Sequence, residues 1–446
     1  TAALGSGALG DGALRAPLEL SADPQRRARA WAFRKGLYAS VAGARPSGTT
    51  ALLEDIAVPV EALADTCRSL QELFDRYGYA DSVIFGHAKD GNIHFMLTDR
   101  FEGVEAIGRY LAFTDDLVEL VLSHGGNLKA EHGTGRAMAP FVRRQYGDEL
   151  YEVMRELKNL CDPEGILNPG VIIDDDPEAH IRNIKLSPSV EEEVDRCVEC
   201  GYCEPVCPSR DLTLTPRQRI VVRRAEVAAE QAGDTALAAD LAKAYEYAGV
   251  QTCAADGMCA TACPVSIDTG ALMKRFRRET ASPVLAAGWS AASRHWGAVS
   301  RAGSTALSVA DVLPSAPIVG ATAVARAVLG HETMPRYSAE LPGGGDKRRS
   351  LRGAVGGAAD APVAVYLPAC VSSMFGPGGE GGGATSAFVA LLERANVSVV
   401  VPESIEGLCC GTPWSSKGFS AGYESMSERV LQSILSLTDG GRLPVV

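Results

Sequence analysis

Two cysteine-rich segments of this 446-residue sequence have the residue types and spacing of an iron-sulfur protein. The first, CVECGYCEPVCP, places Cys197, Cys200, Cys203 and Cys207 in a C-x2-C-x2-C-x3-C-P pattern. In this spacing three thiolates hold one [4Fe-4S] cluster, and the fourth ligates a second cluster. A zinc site would use paired C-x2-C knuckles without the third and fourth cysteines at these offsets. The segment therefore predicts two iron-sulfur clusters.

The second segment, CAADGMCATACP, repeats the pattern but has Asp256 at the position that Cys200 occupies in the first. An exchange of ligands between the segments predicts that the first cluster is held by Cys197, Cys200, Cys203 and Cys263, and the second by Cys207, Cys253, Asp256 and Cys259. A carboxylate is a harder and weaker ligand for iron than a thiolate. The second site is therefore an Asp-ligated [4Fe-4S] cluster with one labile iron, a [3Fe-4S] cluster, or a degenerate motif without a cluster.

Two further segments carry histidines in positions where they could bind a metal or move a proton. FGHAKDGNIHF places His87 and His94 on the two arms of a tight hairpin, and KAEHGTGR adds Glu131 and His132 before a glycine-rich turn. Two imidazoles and a carboxylate suit a divalent cation, and an adjacent imidazole suits a general base. From spacing alone, histidines that are simply solvated in a turn remain the alternative.

The elements around these histidines read as a mixed α+β domain over residues 1–175. VEALADTCRSLQELFDRYG (60–78) has the apolar spacing of an amphipathic helix that ends at Gly78. DSVIFGHAKDGNIHFMLT predicts two strands around an Asp90-Gly91 turn. Further helices are predicted over 102–124 and up to residue 160, and Cys67 and Cys161 in these helical patterns are predicted to be packing residues.

The remainder of the chain predicts two more domains, so that the fold class is α+β multidomain. An acidic linker (176–190) leads to an all-α two-cluster ferredoxin domain (191–282), in which Thr215, Pro216 and Gln218 predict a capping box at a helix start. A helical linker is predicted over 283–360. PVAVYLPAC (362–370) and VSVVVPES predict two strands with a helix between them, a β-α-β unit that starts an α/β domain over 361–446.

Composition narrows the classes of function. A formal net charge of −12 gives no basic footprint for nucleic acid. Seven of the twelve cysteines lie in the two short segments, which favours metal ligation in a reducing compartment such as the cytosol over a disulfide framework. No apolar run reaches the ~18 residues that a membrane span needs. The first residue is Thr1 and the last letters are LPVV, so we expect a piece of a longer polypeptide.

The segments GHAKDGNIH, EHGTGR and DPEGILNPG, in this order, resemble the C-terminal half of the FAD-linked oxidases of the vanillyl-alcohol oxidase type, in the D-lactate, glycolate and D-2-hydroxyglutarate dehydrogenase group. The resemblance covers roughly residues 20–173 and implies an antiparallel-sheet substrate domain. It implies His87, His94 and Glu131 as ligands of a divalent metal such as zinc. It also implies His132 as the base that takes the 2-hydroxyl proton, and Arg34 as the group that binds the substrate carboxylate.

The order of oxidase half, two-cluster ferredoxin and LPAC…CCG resembles the iron-sulfur-fused D-lactate dehydrogenase branch. LPAC and LCCGTPWSSKG, with Cys370, Cys409 and Cys410, resemble a truncated CCG cysteine-rich domain and imply cofactor-binding cysteines. A buried cysteine pair in an α/β core is the alternative. Relatives that act on 2-hydroxyglutarate have a lysine near Leu53, and many have an asparagine at Met96 and a lysine at Met138. A second substrate carboxylate is therefore not expected.

The resemblance implies a FAD-dependent enzyme that oxidises D-lactate or a similar D-2-hydroxyacid to the 2-oxoacid. Electrons then pass through the clusters to a quinone or cytochrome. It implies that FAD is bound largely by an N-terminal domain outside this chain. From the cysteine usage and the lack of a long apolar run, we expect a protein that is cytoplasmic or peripheral at the inner face of the membrane. The alternatives are a glycolate or D-2-hydroxyglutarate dehydrogenase, and an iron-sulfur electron-transfer subunit that docks a separate flavoprotein.

Overall fold

The computed structural model describes residues 21–330, 335–357, 361–378 and 381–446, which form two compact units. The first unit comprises the chain up to Gly249 together with Gly257–Thr269. The second comprises Val250–Asp256 together with Gly270–Val446. Each unit has hydrophobic clusters of its own.

The first unit contains a small antiparallel sheet and several helices. The strands are Thr50–Ala57 (β1), Val83–His87 (β2) and Asn92–Asp99 (β3), in the order β1-β3-β2. The helices are Pro24–Gly43 (α1), Leu63–Tyr77 (α2), Gly103–Ser123 (α3), Val142–Cys161 (α4), Pro216–Gln231 (α5), Thr235–Tyr245 (α6) and Met258–Ala262 (α7). The predicted hairpin and the predicted helices over 60–78 and 102–124 are confirmed.

Local signals explain where these elements turn and start. Gly91 follows β2 with a φ of 66°, and a Cβ atom there would lie 1.9 Å from the Val58 carbonyl oxygen, so only glycine fits this turn. Gly78 ends α2 in the left-handed region. The predicted capping box of α5 is present, because Thr215 and Gln218 each hydrogen-bond the other's backbone N–H.

The core of the first unit lies between the sheet and helices α2 and α3. Phe74 of α2, Phe95 of β3 and Phe113 of α3 meet with ring centroids about 6 Å apart. Burial of such rings is the main stabilising contribution to the domain. Cys67 packs partly buried against this core as predicted, whereas Cys161, at the end of α4, is exposed and its predicted packing role is wrong.

The second unit is mostly helical. Its helices are Thr269–Thr280 (α8, whose first residue belongs to the first unit), Pro283–Arg294 (α9), Trp296–Val312 (α10), Ser315–Leu329 (α11), Val371–Met374 (α12), Gly383–Ala395 (α13), Thr412–Ser415 (α14) and Ser420–Leu435 (α15). The strands Gly353–Gly356 (β4) and Ser398–Val401 (β5) pair antiparallel.

The long strand predicted over residues 362–370 is not formed at that length. Val365 makes isolated parallel bridges with Val400 and Val445, and backbone hydrogen bonds over 363–367 to both of these segments extend the pairing only through the middle of the stretch. Pro362 and Pro368 explain the difference, because proline has no backbone N–H to give to a sheet. The strand β4, which does pair with β5, was not predicted.

Aromatic side chains form the core of the second unit. Trp289 of α9 stacks on Phe419, and Trp296 of α10 meets Trp414 edge-on with ring centroids 4.9 Å apart. Trp414 also donates from Nε1 to the Trp289 carbonyl oxygen at 2.8 Å. Two helices of the stretch predicted as a linker thus contribute to a packed core. Residues 331–334 and 358–360 of that stretch lie outside the described residues.

Within the described ranges, no helix is both long enough and apolar enough to cross a membrane.

Candidate functional site

The hairpin of β2 and β3 brings the predicted metal ligands together. His87 ends β2 and His94 lies in β3. Glu131 reaches both from the 130–132 loop, with His87 Nε2 3.1 Å from Glu131 Oε1 and His94 Nε2 3.5 Å from Glu131 Oε2. The ligand atoms of the three residues all lie within 4.8 Å of one another. Two imidazoles and one carboxylate in this arrangement fit a divalent cation such as zinc, with further positions left for substrate or water.

The two residues predicted to handle substrate lie beside this trio. The His132 ring stacks on His94 with centroids 4.9 Å apart and is exposed. Arg34, on α1, places Nη2 3.0 Å from His87 Nε2, also on the exposed side. An exposed imidazole can take a proton, and an exposed guanidinium can bind a carboxylate, next to this trio. All five residues predicted for the substrate site therefore converge.

A buried carboxylate that the sequence reasoning missed holds this site together. Asp55, in β1, is 0% exposed. Its Oδ2 accepts hydrogen bonds from the backbone N–H groups of Ala130, Glu131 and His132, at 3.0, 2.6 and 2.8 Å. Its Oδ1 accepts from Asn92 Nδ2 at 2.6 Å. One carboxylate thus fixes the loop that carries both Glu131 and His132.

Asp55 also lies next to the buried Nδ1 atom of His94. The Nδ1 atom of His94 is buried, lies 3.2 Å from Asp55 Oδ1, and has no well-aligned hydrogen bond among the described residues. A carboxylate at the far nitrogen orients a metal-binding imidazole and leaves its other nitrogen free. Asp55, His94 and His132 form a second possible ligand set, but the Asp55 oxygens already accept four hydrogen bonds. The trio with Glu131 is therefore the better metal site.

The electrostatics of the site keep His94 neutral and Asp55 ionised at pH 7. Burial lowers the pKa of His94, and the charges of Asp55 and Glu131 only partly oppose this, so the imidazole is neutral at pH 7. Burial raises the pKa of Asp55, but the hydrogen bonds from the backbone of His132, from Asn92 and from the backbone of Glu131 and Ala130 outweigh it. Its pKa is therefore lowered, and Asp55 is ionised. A neutral imidazole beside a fixed carboxylate suits metal binding.

The four cysteines predicted to hold the first cluster line one pocket of the first unit. Cys197, Cys200, Cys203 and Cys263 share it with apolar side chains, among them Ile220 and Val265. Burial raises the pKa of Cys203 to about 12, so cluster assembly must displace its proton. Arg45 and Arg224 each donate to the Cys197 carbonyl oxygen, at 3.1 and 3.0 Å, and fix the ligand loop.

The residues predicted for the second cluster fall in both units. Cys207 and Cys259 are buried in the first unit, where Cys259 Sγ lies 3.3 Å from Thr269 Oγ1. Cys253 and Asp256 belong to the second unit, where Cys253 Sγ accepts from the Ala255 backbone N–H at 3.4 Å. The ligand set of this cluster stays a prediction from the sequence.

Three cysteines lie in the CCG-like segments of the second unit, and two of them are in contact. Cys370 Sγ and Cys409 Sγ lie 3.4 Å apart, whereas Cys410 is exposed and contacts Thr412. The hydrogen bond between the two thiols lowers the pKa of Cys370 and raises that of Cys409, and the Arg348 charge lowers the pKa of Cys370 further. Arg348 is buried and donates to the carbonyl oxygens of Pro368, Glu406 and Leu408.

Comparison with known proteins finds two matched domains in this chain. Residues 2–172 match the family of FAD linked oxidases, C-terminal domain, and residues 193–267 match the 4Fe-4S dicluster domain. The chain is similar to D-lactate dehydrogenase of Archaeoglobus fulgidus (36% identity, covering 27% of this chain and 26% of the relative). It is also similar to the mitochondrial D-lactate dehydrogenase [cytochrome] of Kluyveromyces lactis (29%, covering 36% and 28%).

A further relative is D-2-hydroxyglutarate dehydrogenase of Haemophilus influenzae, at 26% identity over 56% of this chain and 29% of the relative. The chain therefore spans less than a third of the length of each of these curated relatives. The matched families imply FAD and iron-sulfur clusters as cofactors. The chain therefore carries a match to a FAD-linked oxidase C-terminal domain followed by a match to a 4Fe-4S dicluster domain.

Proposed function

We propose that the protein containing this chain is a FAD-dependent dehydrogenase that oxidises D-lactate, or a similar D-2-hydroxyacid, to the 2-oxoacid. It passes the electrons through iron-sulfur clusters to a quinone or cytochrome. The observation that carries the proposal is the convergence of Arg34 and His132 on the trio of His87, His94 and Glu131. The names of the relatives support it, because they include D-lactate dehydrogenases.

Each residue of the site has a role that its position supports. Arg34 binds the substrate carboxylate through two N–H groups of its guanidinium. His132 accepts the 2-hydroxyl proton on an imidazole nitrogen. His87, His94 and Glu131 would hold a zinc-like cation, which would supply Lewis-acid chemistry at this site. FAD would supply the hydride acceptor for the oxidation at C2.

Asp55 acts through the other residues. Its three backbone hydrogen bonds set the position of the loop from Ala130 to His132, so the base and the carboxylate ligand keep a fixed distance from the two hairpin histidines. Because Asp55 is buried beneath the site, it has no path to substrate. We therefore assign it a positioning role.

The proposal includes the division of the chain into domains that the sequence predicts. Residues 1–175 form the substrate domain, 176–190 the acidic linker, 191–282 the two-cluster domain, 283–360 a helical connection and 361–446 a CCG cysteine-rich domain. The first cluster uses the four cysteines of the shared pocket, and the second uses Cys207, Cys253, Asp256 and Cys259 as a [4Fe-4S] or [3Fe-4S] cluster. The close Cys370–Cys409 pair supports a further cofactor site that includes Cys410.

Replacement of His132 tests the dehydrogenase proposal against the docking-subunit alternative. His132→Asn in the full-length protein is expected to abolish D-lactate-driven flavin reduction while iron content stays that of the wild type. His124→Asn is the matched control, because His124 lies at the end of α3 and contacts only the Leu120 carbonyl oxygen among the partners described for its ring. Wild-type rates in His132→Asn would favour a subunit that only docks a separate flavoprotein.

A D-2-hydroxyglutarate or glycolate dehydrogenase is the second candidate. The Haemophilus influenzae relative that covers the largest share of this chain among those named above is a D-2-hydroxyglutarate dehydrogenase. Against this, Leu53 and Met96 face each other across β1 and β3, where such relatives have lysine and asparagine, and Met138 is buried. We expect kcat/KM for D-lactate to exceed that for D-2-hydroxyglutarate and for glycolate, and the opposite order would favour the second candidate.

A further inference from the structure

A fully buried arginine lies next to a predicted cluster ligand. Arg219, on α5, is 1% exposed. Its Nε donates to the Gly249 carbonyl oxygen at 2.7 Å, and its Nη1 lies 3.9 Å from Cys207 Sγ. Its Nη2 is buried and has no hydrogen-bond partner among the described residues. The guanidinium therefore has one carbonyl and one sulfur as its described neighbours.

A guanidinium in this position needs a negative charge. Arginine stays protonated in proteins, and a buried charge without a partner destabilises the fold strongly. Two other arginines of α5 satisfy this need with carboxylates: Arg223 pairs with Glu226 at 2.7 Å, and Arg224 pairs with Glu199 at 2.8 Å. No carboxylate pairs with Arg219 in the described part of the chain. The remaining neighbour that can carry a negative charge is the Cys207 sulfur, which is a thiolate when it ligates a cluster.

We propose that Arg219 is the counter-charge of the iron-sulfur cluster that Cys207 ligates, and that it raises the reduction potential of this cluster above that of the first. The proposal rests on the two-cluster assignment in the proposed function. A cluster held by thiolates is anionic, and reduction adds one more electron. A fixed cation at a ligand sulfur stabilises the reduced form more than the oxidised form, and charge and hydrogen bonds at the sulfurs set cluster potentials.

No side-chain cation hydrogen-bonds a ligand sulfur of the first cluster among the described residues, because the nearby arginines donate to a backbone carbonyl oxygen instead. Its pocket is lined by apolar side chains such as Ala39, Ile220 and Val265, which disfavour the added electron. The nearby Arg224 is neutralised by Glu199. We therefore expect electrons from the flavin to reside mainly on the cluster that Cys207 ligates. This cluster would then be the one that transfers electrons to the acceptor.

The test is a potentiometric titration of the full-length protein followed by EPR. Arg219→Met removes the charge and keeps much of the volume, and Arg219→Lys keeps the charge. The matched control is Arg210→Met, because Arg210 is only three residues from Cys207 but its side chain is 51% exposed, where water screens its charge. In Arg219→Met we expect one midpoint potential to become more negative and the other to stay unchanged. Arg219→Lys and Arg210→Met are expected to keep both wild-type values.

A Cys203→Ser background, which lacks the first cluster, identifies the cluster that shifts. Persistence of the Arg219→Met shift in this background supports the proposal. Unchanged potentials in an iron-replete Arg219→Met protein, or a shift confined to the first cluster, would overturn it. If Arg219→Met loses iron, Arg219→Gln takes its place, and equal potentials in the Gln and Lys variants would overturn the proposal.

Reduction in this titration comes from dithionite and mediators, so the result does not depend on the substrate. A protein whose clusters titrate as expected but are not reduced by D-lactate refutes the proposed substrate and leaves the role of Arg219 standing. Conversely, D-lactate-driven reduction with no effect of Arg219→Met leaves the dehydrogenase proposal standing and refutes the role of Arg219.

Discussion

Replacement of Asp55 by asparagine perturbs the substrate site with almost no change in shape. The carboxylate accepts three backbone N–H groups on Oδ2 and Asn92 Nδ2 on Oδ1. An amide can turn only one acceptor oxygen toward these donors. With its oxygen toward the loop, its NH2 group opposes the NH2 group of Asn92. Rotation of Asn92 does not relieve this, because its amide also donates to the Ile56 carbonyl oxygen at 3.1 Å.

The expected magnitude follows from these bonds. Asp55→Asn loses one hydrogen bond to a charged group, worth about 1.5 to 3 kcal/mol, and weakens three more, so the free energy of unfolding should fall by about 3 to 5 kcal/mol. For a unit of this size that corresponds to a decrease in Tm of roughly 6 to 20 °C. Because Asp55 also orients His94 and the Glu131 loop, zinc affinity should fall roughly 10- to 100-fold.

Chemical denaturation and zinc titration against a competing chelator measure the two effects in the full-length protein. Asp99→Asn is the matched control: Asp99 is the last residue of β3 and pairs with Arg109, away from the histidines. The control should lose some stability and keep wild-type zinc affinity. An Asp55→Asn protein with wild-type stability and wild-type zinc affinity would refute the reasoning.

Other perturbations test separate parts of the structure. Burial lowers the pKa of His180, whose ring nitrogens have no hydrogen-bond partner in the described residues. The unfolded chain therefore binds more protons than the folded one, and the free energy of unfolding should fall as pH drops below about 6.5. His180→Phe should flatten this pH dependence, measured by urea titration at several pH values. Gly91→Ala places a Cβ 1.9 Å from the Val58 carbonyl oxygen and should lower hairpin stability and zinc affinity together, measured by thermal unfolding and zinc titration; unchanged values would contradict the turn geometry. Cys203→Ser should remove about four iron atoms per protein, those of the first cluster, measured by iron analysis, and loss of all or none of the bound iron would contradict the separate ligand sets.

The parts of the fold that the sequence predicts are those with local signals. The hairpin turn at Gly91, the helix end at Gly78 and the helix start at Thr215 each depend on residues within a few positions of one another. The same holds for Cys197, Cys200 and Cys203, whose spacing alone places them around one pocket. Such features can be predicted from the sequence because residues close together in the chain determine them.

The role of Asp55 could not be read from the sequence, because it depends on a contact across 75 or more positions. Strand register sets Asp55 opposite His94, and the 130–132 loop then closes over its carboxylate. The available signal was the acidic pair Glu54 and Asp55 within the apolar residues of β1. A buried carboxylate in a strand needs hydrogen-bond donors, and this need alone does not say which loop supplies them. The same limit applies to Arg219, which meets Gly249 and Cys207 only after α5 has packed.

The most direct test of the proposed function is low-temperature EPR of the anaerobically purified, FAD-replete full-length protein before and after addition of D-lactate. We predict that D-lactate reduces the flavin and then the iron-sulfur clusters, which gives signals of reduced clusters that are absent without substrate. A [3Fe-4S] signal in the oxidised sample would mean that the iron next to Asp256 is missing. Signals of two interacting reduced [4Fe-4S] clusters would mean that Asp256 ligates the fourth iron of the second cluster. Clusters that dithionite reduces and D-lactate does not would contradict the D-lactate dehydrogenase account.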